Sequence, residues 1–159
     1  MKSLNSFYVL ACCSFAMSAC VPSEKDFVFS PYTVISVQDE LQKEEAEWFA
    51  WLFARPAGFV LQVKLQAAEP DVILCRDESL MGDAYSLEVT TRKILIRASS
   101  MNGFFYAFQT LRQALPQEIR ATRHVGNVRW AVPTMKVYEN PKPDFWLVSN
   151  FRSIANIRK

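Results

Sequence analysis

Between Asp83 and Pro116 the spacing of apolar positions changes period. Tyr85, Leu87 and Val89 alternate with Ser86, Glu88 and Thr90, the period-two pattern of a strand with one buried face. Thr91-Arg92-Lys93 supplies a turn, and Ile94, Leu95, Ile96 and Ala98 a second strand. The period then lengthens: Phe104, Phe108, Leu111 and Leu115 recur at helical intervals until Pro116 forbids continuation, and Ser99 or Ser100 stands where a helix needs a cap. A hairpin followed by a helix with one apolar face predicts a sheet with a helix lying across it. Such an arrangement names no activity.

Upstream, Tyr32-Thr33-Val34-Ile35-Ser36-Val37 has the β-branched richness of a first strand. A helix is expected at once after it. Asp39 caps it with Gln42 at the third helical position, Leu41, Trp48, Phe49 and Leu52 form its buried stripe, and Pro56-Ala57-Gly58 ends it. Glu40, Lys43, Glu44, Glu45 and Glu47 fall mainly on the other side, as a solvated face. Residues 59–65 and 72–75 predict two further strands joined through Glu69-Pro70-Asp71, and residues 117–126 read as a loop. The order to this point is β-α-β-β-β-β-α, and the stripes on both helices require a sheet to cover them.

Half of the 159 residues are hydrophobic and 13% are aromatic, enough for one core and one domain. The net charge of +2 comes from scattered basic residues, which excludes the electrostatic footprint of a nucleic-acid binder. At the N-terminus, Lys2 precedes an apolar stretch over residues 7–17, too short to span a bilayer and closed by small residues, as in a secretory signal. Met17-Ser18-Ala19-Cys20 resembles a bacterial lipobox, with Met17 departing from the usual leucine. The resemblance implies a lipoprotein signal over residues 1–19, a lipidated Cys20, a tether over 20–26, and anchoring to a membrane of the bacterial cell envelope or cell surface. Cys12 and Cys13 would leave with the signal, so Cys75 is expected as a lone, inert thiol with no disulfide partner.

Candidate chemistry is sparse. His124 lies in the 117–126 loop without a second histidine or a cysteine nearby, so no metal site or cofactor is expected. Ser99, Ser100 and Ser153 have only that histidine as a base and no triad spacing, which leaves no expected catalytic residue. Tyr106, Trp130 and Trp146 could stack on a sugar, although Tyr106 and Trp130 read first as packing residues.

Three segments carry a family resemblance. Gly82-Asp83-Ala84-Tyr85-Ser86-Leu87-Glu88-Val89, then Ile94-Leu95-Ile96-Arg97-Ala98-Ser99, then the helix from Gly103-Phe104-Phe105-Tyr106 through Gln109-Thr110-Leu111-Arg112-Gln113 resemble the non-catalytic N-terminal domain of family 20 glycoside hydrolases. Those are β-N-acetylhexosaminidases. The resemblance continues through Trp130-Ala131-Val132-Pro133 and a strand at residues 135–141, then stops; residues 142–159 form a divergent tail, and Arg152 does not lie in the family's sugar-gripping motif. It implies an α+β fold over residues 27–141: a single, mostly antiparallel sheet with two helices packed on one face, in the order β-α-β-β-β-β-α-β.

In the family, an adjacent Asp-Glu pair of a catalytic barrel orients the substrate's acetamide and protonates the leaving oxygen. Asp39-Glu40 and Asp77-Glu78 are adjacent pairs here, but a helix cap and a polar turn account for them. Two readings follow. One is an auxiliary, non-catalytic hexosaminidase domain, truncated or standing alone, whose partner is a glycosidase barrel. The other is a surface-anchored module that binds glycans or a protein, which an aromatic cluster on the free sheet face would favour.

Overall fold

In the computed structural model, residues 25–141 are described. Strand β5 (Tyr85–Val89) and strand β6 (Ile94–Ala98) form the expected hairpin, in register from Tyr85 opposite Ala98 to Val89 opposite Ile94. Thr90 closes its tip: its Oγ1 accepts from the Lys93 and Arg92 amides at 2.9 and 3.4 Å. Helix α2 (Met101–Ala114) follows, capped by Ser100, whose Oγ accepts from the Gly103 amide at 3.1 Å.

The expected helix α1 spans Glu40–Trp51 and the first strand of the main sheet, β2, spans Val34–Val37. Asp39 Oδ1 accepts from the Gln42 amide at 2.8 Å, while Gln42 Oε1 reaches back to the Gln38 amide at 2.7 Å. That reciprocal cap buries Gln42 and turns the inner face of α1 to Gln42, Ala46, Phe49, Ala50 and, just beyond it, Phe53. The expected stripe is corrected accordingly: Phe49 is buried, Trp48 and Leu52 are half-buried, and Leu41 is 60% exposed.

Strands β3 (Gln62–Leu65), β4 (Val72–Arg76) and β8 (Met135–Glu139) complete a six-stranded sheet in the order β3-β2-β4-β6-β5-β8. The α+β class and both helices are as expected. The sheet is mixed in direction: β2 pairs parallel with β3 and β4, β4 pairs parallel with β6, and β5 pairs antiparallel with β6 and β8. A second sheet joins the first, a two-stranded ribbon of β1 (Asp26–Val28) and β7 (Ala131–Pro133). Asp26, read from sequence as tether, is its first residue and pairs with Pro133.

One face of the main sheet meets both helices. Ile35, Val72, Leu74, Leu87, Ile94 and Ile96 point there and are buried, as period-two geometry requires. Phe49 of α1 stacks on Phe108 of α2 with centroids 4.8 Å apart and planes 20° apart. Phe29, Phe53 and Trp130 extend this aromatic core toward the ribbon, so Trp130 is a packing residue. The 117–126 segment carries a 3-10 turn, Gln117–Arg120, that buries Ile119. Among the described residues no helix is long and apolar enough to cross a membrane.

Candidate functional site

Each acidic pair singled out in the sequence has a structural use. Asp39 caps α1, and Glu40 pairs with Lys43 Nζ at 3.1 Å, a contact that raises the lysine's pKa. Asp77 accepts hydrogen bonds from the hydroxyl and the amide of Ser79, which hold its carboxyl below the usual range. A general acid needs the opposite shift, from burial in an apolar pocket. Asp77 is shifted the other way.

The serines are occupied as well. Ser99 Oγ donates to the Gly82 carbonyl at 3.0 Å; Ser100 Oγ donates to Asp83 Oδ1 at 2.8 Å while capping α2. Asp83 also accepts from Asn102 Nδ2 at 3.3 Å, so this carboxylate ties the start of the hairpin to the start of the helix. Cys75 is a free, half-buried thiol, and His124 lies exposed over the segment after α1. Among the described residues no group of three or more His, Cys, Asp or Glu side chains could hold a metal. Cys20, Trp146, Arg152 and Ser153 lie outside the described residues.

A buried titratable group with a large shift is one that alternation alone marked as core. Tyr85 is fully buried, with its hydroxyl 2.9 Å from Glu139 Oε2, to which it donates, and 2.6 Å from Thr110 Oγ1. Burial pushes its phenol up to about 12, so it holds its proton at neutral pH. The trio joins β5, α2 and the end of β8, and fastens the helix to the last strand. No sequence signal marked it: the partners stand 25 and 54 residues from Tyr85.

Gly103 shows why this sequence pattern has a glycine there. A Cβ on it would stand 2.8 Å from Ala98 Cβ, 3.0 Å from the Ala84 carbonyl oxygen and 3.3 Å from that of Asp83. The first turn of α2 therefore lies directly on the hairpin.

The free face of the main sheet carries Ser36, Ile73, Cys75, Ser86, Leu95 and Arg97, and a 2.8 Å ion pair between Glu88 and Lys136. Tyr138, 65% exposed, is the one aromatic side chain that strand register places there among the described residues. A single ring is no cluster.

The family model for glycosyl hydrolase family 20, domain 2, matches residues 17–137. The chain belongs to that family. Its fold is shared with the family 20 β-N-acetylhexosaminidase of Streptomyces coelicolor A3(2), at 24% identity and a TM-score of 0.66, over 75% of this chain and 24% of that one. The Streptomyces plicatus N-acetyl-β-hexosaminidase gives 23% identity and 0.67 over the same shares. The exo-β-N-acetylglucosaminidase of Vibrio harveyi gives 21% and 0.59, over 74% of this chain and 17% of that one. This family 20 domain thus spans about a quarter or less of the length of these enzymes. No curated protein gives a significant match.

Proposed function

We propose that this family 20 domain is an auxiliary, non-catalytic module of β-N-acetylhexosaminidase type that docks onto a glycosidase barrel and cleaves no glycoside itself. The observation that carries this reading is the commitment of its carboxylates: Asp39 to a helix cap, Asp77 to a turn, Asp83 to the join between hairpin and helix. Asp77 is moreover shifted down, away from the raised pKa that a glycosidase acid needs. The span of about a quarter of the length of related hexosaminidases supports it. Leu41 and Trp51, 60% and 52% exposed on the outer side of α1, offer apolar contact for the barrel.

The test is hydrolysis of a chromogenic N-acetylglucosaminide by the purified chain and by two double variants, Asp39→Asn/Glu40→Gln and Asp77→Asn/Glu78→Gln. Background rates are expected throughout. Turnover by the wild type that either double variant abolished would refute the reading. Co-purification with a separately produced family 20 barrel, weakened by Trp51→Arg, is the matching positive result.

The same proposal places the module on a membrane of the bacterial envelope through a lipidated Cys20, from the lipobox-like Met17-Ser18-Ala19-Cys20. Buried acyl chain contributes about 0.8 kcal/mol per methylene, so a multiply acylated cysteine suffices as an anchor. Cys20→Ser should move the protein to the soluble fraction; unchanged membrane partition would exclude lipidation at that residue.

A further inference from the structure

We propose that the recess between the Ser30–Thr33 turn and the tip of the β5–β6 hairpin is a binding subsite for one neutral pyranose unit. The recess is about 370 Å³ and is lined by Asp26, Ser30, Tyr32, Asp71, Thr91 and Arg92, among others. Both walls are held before any ligand arrives. The Thr33 amide donates to the Ser30 carbonyl at 3.0 Å, and the Ser30 amide to Thr33 Oγ1 at 2.9 Å, closing a turn with Pro31 and Tyr32 at its centre. Gln62 Nε2 pins that turn from the side through the Pro31 carbonyl, at 3.3 Å. Opposite, the Thr90 bonds fix Arg92 at the hairpin tip.

The chemistry of the lining selects the ligand class. Asp26 and Asp71 each commit one oxygen to the protein: Asp26 Oδ2 accepts from Arg129 Nη1 at 2.9 Å and Asp71 Oδ2 from the Val34 amide at 2.8 Å. Each carboxylate keeps lone pairs beyond that one bond, so this wall of the recess is a hydrogen-bond acceptor. Arg92 adds donors on the other wall, without an ion-pair partner among the described residues. An anion entering here meets two carboxylates, and a cation meets Arg92. A sugar hydroxyl both donates and accepts, so a neutral polyol suits a lining of mixed sign. Tyr32, 82% exposed at the lip, offers a ring for the apolar face of the pyranose. The inference does not rest on the auxiliary-domain reading, because it needs no barrel.

The test is titration of the ¹⁵N-labelled full chain with N-acetylglucosamine, galactose and mannose, and with glucosamine and glucuronate as cationic and anionic counterparts. Saturable shifts are expected at Ser30–Thr33 and Thr90–Lys93 for at least one neutral sugar, with a Kd on the order of 1 mM for so few contacts. Both charged sugars should bind at least about tenfold more weakly, as should the neutral sugar to Tyr32→Ala and to Arg92→Ala, whose amide spectra verify that they fold. The proposal is overturned if no neutral sugar gives saturable shifts, if the shifts map to another surface, if a charged sugar binds tighter, or if Tyr32→Ala binds undiminished.

Discussion

Replacing Gly103 by alanine sets two physical effects of similar size against each other. Inside a helix, alanine is favoured over glycine by about 1 kcal/mol, so the general rule predicts stabilisation. Here the added methyl would lie 2.8 Å from Ala98 Cβ and 3.0 Å from the Ala84 carbonyl oxygen. Ala98 is fully buried in β6 and Ala84 is fully buried immediately before β5, so neither neighbour is a flexible side-chain end that swings away. Overpacking of this kind costs about 1–3 kcal/mol, and more where backbone must move. The upper part of that range, about 2–3 kcal/mol, applies because two of the three neighbours are backbone carbonyl oxygens, and subtracting the propensity gain leaves a net destabilisation of about 1–2 kcal/mol. At a urea slope of about 2 kcal/mol/M this lowers the midpoint by about 0.5–1 M, readable by far-ultraviolet circular dichroism. Ala98→Gly in the same chain removes the shorter contact and should recover part of the loss relative to Ala98→Gly alone. A Gly103→Ala protein more stable than wild type would mean that propensity wins and that α2 does not press on the hairpin.

Further outcomes follow from the core and the buried phenol. Phe108→Ala removes a fully buried ring stacked on Phe49 and should cost about 3–5 kcal/mol, a large share of the roughly 5–15 kcal/mol of a whole domain; an unchanged denaturation midpoint would contradict the placement of α2. Asp39→Ala should cost about 1 kcal/mol through the lost cap of α1, and Asp39→Ser should restore most of it. Tyr85 binds its proton more tightly folded than unfolded, so its contribution is fully present below the ordinary phenol value near 10 and is lost as pH rises through about 12. Phenolate absorbance should therefore show one tyrosine ionising late, a feature absent from Tyr85→Phe. Asp77 has the opposite sign: its contribution is present above the ordinary carboxyl value and fades as pH falls, and Ser79→Ala should bring its titration back up.

What could be read from the chain alone follows the range of the interactions. The hairpin and α2 were legible because period two and helical spacing are local signals, and because Ser100 and Asp39 cap within three residues of themselves. The face of α1 was legible only in part. Leu41 looks like core by hydropathy, yet the bond from the Gln38 amide to Gln42 draws the polar residue inward and leaves the leucine in solvent. Strand β3 was foreseen from Phe59, but ladder pairing begins at Gln62, and Phe59 instead stacks on Phe53. The ribbon, the Tyr85 trio and the recess beside Tyr32 unite residues far apart in sequence, and no periodicity within a short window reports them.

The β1–β7 ribbon also bears on the order in which the molecule assembles. Its Asp26–Arg129 ion pair closes a span of 103 residues, whereas the β5–β6 hairpin closes across a tip of a few. Closure entropy rising as (3/2)RT ln n makes the ribbon about 3 kcal/mol harder to form first from an open chain. The hairpin and α2 therefore gather early, and the ribbon is fastened once they have shortened the gap between its strands. Substitution of Phe27, buried in the ribbon and packed edge-on against Phe29, should then speed unfolding and leave the folding rate nearly unchanged. The first residues of this domain to leave a ribosome are among the last to find their place.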